Sequence, residues 1–382
     1  MKNHSLYSKI ISAVFLVLLT VMTLFSVFLP DRNYSETEKR ALQTMPSLTL
    51  DALITRNQED KFTQKYENYV ADQFLLRNDF VSFKNNAELL LGKRDMNGIY
   101  IGNDGYLFSK ETSFDQTRFD ANLAAVKTFF ENIQENGNVE NFAFSLAPDS
   151  SHILAEKLPL HASVYSFDVP DRLAEEHFSD DYVSLKDPLL SHKSEDIYYK
   201  TDHHWTTLGA YYGYEALCEN LGLQANKEGD YDKKVVSENF FGTYKSKVNI
   251  SASPDTITRY DSLNTTILSV ETDGKTHDSI YNEAALNTSD QYNFFLYGNY
   301  PLTKITTSNQ NGRTLLVIKD SYAHSMIPFL CDHYETILCV DLRHYHESTL
   351  KLCEAETVTD VLVLYQATNF AKDSSLIQLT LS

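Results

Sequence analysis

"RTLLVIKDSYAHSMIPFLCDHY", residues 313–334, is the stretch that sets the fold class. Four apolar residues, Leu315 to Ile318, run without a polar break. The run is too short for a buried helix and is rich in branched side chains, so it reads as a strand buried on both faces. Polar Lys319, Asp320 and Ser321 follow it, then a helix-like pattern. "ETILCVDLR" (335–343) and "VTDVLVLYQATNF" (358–370) repeat the apolar run. Continuous apolar strands separated by helix-length segments predict a parallel sheet covered on both faces. Such sheets carry their sites at the strand C-terminal ends. Ser321, Asp341, Arg343 and Asn369 fall just past those ends.

Upstream, the same grammar holds. "NFAFSLAPDSSHIL" (141–154) reads as a strand ending in a Pro-Asp turn. "TRFDANLAAVKTFFENIQENG" (117–137) has apolar residues at helical spacing, closed by Gly137. "GIYIGNDGYLF" (98–108) reads as a hairpin about Asn103-Asp104-Gly105. Residues 223–310 are rich in Asn, Thr, Ser, Asp and Tyr and read as an irregular β-containing insertion. Residues 31–95 read as one or two helices, stopping near Gly92.

The chain begins with a different signal. Ile10 to Leu29 is an uncharged apolar run, preceded by Lys2 and Lys9 and followed by Asp31. Twenty residues at about 1.5 Å each span roughly 30 Å, the thickness of a bilayer's hydrocarbon core. The positive-inside rule puts the short tail in the cytoplasm and the rest outside. We expect an uncleaved signal-anchor at 1–30, a helical membrane-proximal segment at 31–95, and a globular domain at 96–382.

Bulk composition narrows the function. The formal charge is −19, from 52 acidic against 33 basic residues. That disfavours nucleic acid, which calls for a basic footprint. The four cysteines (218, 331, 339, 353) form no CxxC pair and read as small buried hydrophobes. The 24 tyrosines and 22 phenylalanines suit an ordinary core, or the aromatic lining of a carbohydrate groove. No cofactor is expected.

"TDHHWTT" (201–207) supplies the second half of a candidate site. Asp202, His203, His204 and Trp205, the only tryptophan, precede a helix over 206–220 with Thr206 as its N-cap and Gly222 as its stop. A serine lifted out of a sheet at a strand-to-helix turn is where a nucleophile sits. It needs a neighbouring base, and the base needs a group that fixes its tautomer. An Asp-x-His pair supplies both. His203, next along an extended loop, should face away or pack. Trp205 either packs beneath the site or stacks on a sugar. Arg343 either binds an acidic substrate group or pairs with Asp341. His324 shares a helix face with Ser321, and His344 and His346 read as surface residues. Asp-His-His also suits a manganese phosphoesterase, but such sites need further aspartates at strand ends, and no such motif stands out. We expect no metal.

"KTDHHWTTLGAYY" with "VIKDSYAHSMIPFL", "YIGNDGYLFS", "VDLRHY" and "VLVLYQATNF" resembles the DHHW family, related to the alginate O-acetyltransferase-like, SGNH-type proteins. The resemblance runs from about Asn33 to the C-terminus. It implies an SGNH-hydrolase-like α/β/α sandwich, permuted so that Asp-His precedes Ser. Ser321 matches the nucleophile, His204 the base and Asp202 its orienter. Asn369 matches an oxyanion donor, and Arg343, Trp205 and Tyr322 join it as oxyanion or substrate-facing candidates. Lys319 stands where ordinary SGNH enzymes carry glycine. The implied function is a membrane-anchored, extracytoplasmic O-acetyltransferase or acetylesterase acting on a cell-surface polysaccharide. A multipass membrane-bound O-acyltransferase would be its acetyl donor. A non-catalytic polysaccharide-binding protein on the same fold is the competing reading, and the metal-dependent phosphoesterase is a third.

Overall fold

A computed structural model describes residues 2–135 and 139–381, so the Gly137 helix stop lies outside the described residues. The chain forms two compact units. One holds the residues up to Lys93 together with Ser246–Ser251; the other holds Arg94–Lys245 and the chain from Ala252 onward.

In the first unit, helix α1 (Lys2–Phe28) contains Leu6–Phe25, a span long and apolar enough to cross a membrane. After a short helical turn at Leu50–Ile54 come two longer helices, α2 (Phe62–Gln73) and α3 (Arg77–Leu90). Gly92 ends α3 at φ +92, with the Lys93 amide reaching back to the Glu88 carbonyl. That is the left-handed stop a glycine is suited to.

The second unit is mixed α/β. A short hairpin pairs Ile99–Ile101 with Leu107–Ser109, turning through Asp104 and Gly105 at positive φ. Helix α4 spans Gln116–Glu135, strand β1 Asn141–Ala147 and helix α5 Thr207–Cys218. Then come β2 (Ile267–Thr272), β3 (Lys275–His277), β4 (Leu302–Thr307), β5 (Thr314–Lys319), β6 (Thr336–Val340) and β7 (Asp360–Gln366). They form one sheet in the order β3-β2-β4-β6-β5-β7-β1.

The half made of β6, β5, β7 and β1 is parallel, as the apolar runs predict. The half made of β4, β2 and β3 is antiparallel. The sheet is therefore mixed, and the stretch 223–310 supplies the antiparallel strands. Their burial alternates, as in "LTKITT", where Thr303, Ile305 and Thr307 are buried and their neighbours are half-buried. A polar-alternating strand of this kind carries no continuous apolar signal.

The parallel strands bury both faces. Leu315 and Val317 of β5 join the core under α5, while Leu316 and Ile318 join the core under α4. Each buried aliphatic side chain contributes roughly 1.5–3 kcal/mol, so these few residues hold a helix on either side. After β5 come a 3-10 turn, Ser321–Ser325, and a four-residue helix, Ile327–Leu330. Pro328 sits in the first turn of the second piece, where its missing N–H costs nothing.

Candidate active site

Strand β5 ends at Lys319 and the chain turns at once. Asp320 caps the turn, its Oδ1 accepting from the Tyr322 amide at 2.9 Å. Its Oδ2 accepts from the Gln366 amide at 3.1 Å and from Asn369 Nδ2 at 2.8 Å. Asp320 thus ties the ends of adjacent strands β5 and β7 together. Burial pushes its carboxyl upward, against those donors. Ser321 is left half-buried at the mouth of the turn.

The other half comes from bends between β1 and α5. Tyr198 and Trp205 pair as an isolated bridge, which closes the loop carrying residues 199–204. Thr206 then caps α5, its hydroxyl accepting from the Gly209 amide at 3.2 Å. The loop delivers His204 to Ser321: Nε2 lies 2.9 Å from Ser321 Oγ. On the far side of the ring, Nδ1 lies 2.6 Å from Asp202 Oδ1. Asp202 is buried and also accepts from the His204 amide at 3.1 Å and, through Oδ2, from the Thr243 amide at 2.7 Å. Burial opposes its ionisation, but the two adjacent histidines and the Thr243 amide hold the carboxyl well below its ordinary range. An ionised carboxylate only accepts, so His204 carries its proton on Nδ1 and Nε2 accepts from the Ser321 hydroxyl.

Two neighbours outside the quoted motifs fix this geometry. Gly242 packs so closely on Asp202 that a Cβ there would collide with the aspartate's own Cα and Cβ. Tyr292 stacks on His204, with centroids 3.6 Å apart and planes 8° from parallel. Its hydroxyl donates to the Ser321 carbonyl at 3.2 Å.

The remaining candidates divide. The rings of His203 and His204 do not face opposite ways; their centroids lie 3.8 Å apart, because this loop is a run of bends and not an extended strand. His203 Nδ1 bonds Thr243 Oγ1 at 2.8 Å and does not reach the serine. Burial, reinforced by His204, pulls its pKa down to about 4. Trp205 and Tyr322 are wholly buried. Trp205 Nε1 donates to the Tyr322 carbonyl at 2.9 Å, and the Tyr322 hydroxyl donates to the His203 carbonyl. Together they bolt the two loops to each other from beneath. Asn369 spends its amide on Asp320. Arg343 forks onto Asp341, with Nε 2.8 Å from Oδ1. Register places Val340 opposite Ile318, so Arg343 and Ser321 emerge at the same sheet edge. His324 is buried and accepts from Lys319 Nζ at 2.8 Å; burial lowers the pKa of both. His344 and His346 are exposed.

Asp202, His203 and His204 do bring metal-ligand atoms within 4.8 Å of one another. Both ring nitrogens of His204 and both oxygens of Asp202 are already spent on hydrogen bonds.

Comparison with known proteins agrees with the motif reading. Residues 181–340 match the family model described as DHHW protein. The fold resembles that of a DHHW family protein from Eubacterium siraeum, at 25% identity and a TM-score of 0.63, over 74% of this chain and 95% of that one. It also resembles Bacillus cereus PatB1, at 25% identity and a TM-score of 0.58, over 72% and 97%. A curated relative, "Probable alginate O-acetylase AlgJ" of Pseudomonas putida, is 26% identical over 160 residues. That match spans 39% of this chain and 40% of the relative.

Proposed function

From its DHHW-family match, we propose that this protein is an SGNH-type serine acyltransferase or esterase that modifies a polysaccharide outside the cytoplasm. One observation carries the reading: Ser321, His204 and Asp202 lie in an unbroken chain of hydrogen-bond distances, 2.9 Å and 2.6 Å, in the order that base catalysis requires. The domain is taken as an SGNH-like sandwich with its motif order permuted, and α1 as a signal-anchor holding it at the outer membrane face. The polysaccharide substrate is inferred from the described activity of the AlgJ relative.

The step is acyl transfer. His204 Nε2 takes the proton of Ser321 as Oγ attacks the acyl carbonyl. The imidazolium that forms is stabilised by Asp202, which stays ionised. Collapse of the tetrahedral intermediate breaks the bond to the donor's leaving group, which receives the proton. A sugar hydroxyl, or water, then attacks acyl-Ser321 by the reverse sequence. The developing oxyanion is met by the backbone amide of Ser321 at the start of its turn. Asn369 serves indirectly, by holding Asp320, and Arg343 is available at the sheet edge for the incoming sugar. A multipass O-acyltransferase is the donor we assign.

A fluorophosphonate probe tests the reading. The wild type should label, and Ser321→Ala should not. Absence of labelling in a folded wild type, with polysaccharide acetylation unchanged in Ser321→Ala, would sink it and leave a non-catalytic binding role.

A further inference from the structure

Helix α3 of the first unit is inside out. Two of its polar residues are covered: Asn85 is buried and donates to the Val248 carbonyl at 2.6 Å, and half-buried Asn86 accepts through Oδ1 from the Ser251 amide at 3.1 Å. Its apolar residues point outward, with Phe83 75%, Leu90 89% and Leu91 88% exposed. Phe80, Phe83 and Leu90 recur at helical spacing, so they share one face. Between α2 and α3 lies an apolar groove of about 520 Å³, lined by Tyr66, Val70, Phe74, Phe80 and Val81. Exposed large apolar side chains crowd residues 29–91 and are sparse in the larger unit. Patches of this kind on a folded protein mark a contact surface.

The structure also indicates which surface. The chain leaving α1 is pinned to the end of α2. Tyr69 donates to Asp31 at 3.0 Å, Arg32 donates to the Asp72 carbonyl at 2.7 Å, and Arg32 and Gln73 exchange two bonds of 2.9 Å. The α2–α3 corner is therefore fastened to the first residues beyond the apolar span. We propose that α3 and the α2–α3 groove lie in the headgroup–acyl boundary of the bilayer that α1 crosses. Phe80, Phe83, Leu90 and Leu91 enter the lipid, and Lys84 extends its ammonium to the phosphates. Aromatic and aliphatic side chains at this level, with lysines snorkelling outward, are how interfacial helices bind. The contact holds the membrane-proximal unit flat on the bilayer.

This inference rests on α1 spanning a membrane, and the test separates the two claims. All four native cysteines are buried, so a single introduced cysteine can be labelled selectively. The full chain is reconstituted in phosphatidylcholine–phosphatidylglycerol vesicles, with an environment-sensitive NBD label at Val14→Cys, Phe83→Cys, Leu90→Cys or the polar control Glu59→Cys. Labels at 83 and 90 should emit blue-shifted light and be quenched by doxyl-labelled lipid, while the label at 59 is not. A water-like label at 14 would overturn the anchor itself. A shielded label at 14 with water-like labels at 83 and 90 would overturn the docking surface alone. Shielding of 83 and 90 that appears only at high protein-to-lipid ratio, without lipid quenching, would assign the face to another protein and overturn it too.

Discussion

The ring of Tyr292 lies flat on the imidazole of His204, 3.6 Å between centroids, while its hydroxyl holds the Ser321 carbonyl. One side chain thus fixes the position of both the proposed base, His204, and the proposed nucleophile, Ser321. Tyr292→Phe keeps the stack and loses the hydroxyl's contacts with the Ser321 carbonyl and Ser325 Oγ; kcat should fall a few-fold. Tyr292→Ala frees the imidazole to rotate. A misplacement of about 1 Å costs on the order of 100-fold, and this loss should appear in kcat with KM little changed. The alanine variant also loses roughly 3–5 kcal/mol of stability, so the phenylalanine variant is the one that isolates positioning.

Ser321, His204 and Asp202 should behave as a unit. Ser321→Ala and His204→Ala should each abolish turnover, and the double variant should be no worse than either single one. Asp202→Asn should retain the fold yet drop kcat by roughly 10⁴-fold by presenting the wrong tautomer. Steady-state acetyl release on a model ester measures all four variants.

His203 should matter for stability and not for chemistry. Its folded pKa is lowered to about 4, below the ordinary value of about 6.5. Between these values the unfolded chain binds a proton that the folded chain refuses. Stability therefore rises with pH from about 4 to about 6.5. His203→Asn should flatten that part of the stability curve, read as the urea midpoint against pH. It should leave most of the activity at neutral pH.

Gly242→Ala should injure the site through Asp202. The added methyl meets backbone and side chain of the aspartate, neither of which can yield freely. Overpacking of this kind costs about 1–3 kcal/mol, and a displaced Asp202 should lower kcat as well. Gly229→Ala, where the added methyl meets nothing, is the matched control and should be neutral in both thermal melting and turnover.

Chelation should leave activity intact. The atoms of Asp202 and His204 that a metal would take are engaged in the relay. Turnover lost to EDTA and restored by manganese would favour the phosphoesterase reading.

Local pattern carried much of this protein. The uninterrupted runs at Leu315–Ile318, Ile337–Val340 and Val361–Leu364 dictate the doubly covered parallel half of the sheet, because only strands buried on both faces are apolar at every position. The sharp polar break after Ile318 marks Ser321, and Asp-x-His marks the residues that meet it, because a serine acting as a nucleophile would need a base and an orienter. The apolar run at the start is likewise legible from length and charge alone.

Tertiary structure decided what no short window can hold. Tyr292 is 88 residues from His204 and lies in a polar stretch with no period, so nothing local points to it. Gly242 and Thr243 meet Asp202 only through the fold. Of the two expectations for His203, facing away or packing, the bent loop realises the second, with its ring against that of His204. Trp205 and Tyr322 became a buried bolt because the two half-sites close over them, and Asn369 turned to Asp320 because β5 and β7 are neighbours in the sheet. Sequence determined which chemical groups were present and which strands carried them. Packing between distant segments decided which groups touch, since hydrogen bonds and ring stacks depend on ångström-scale positions that only the assembled core imposes.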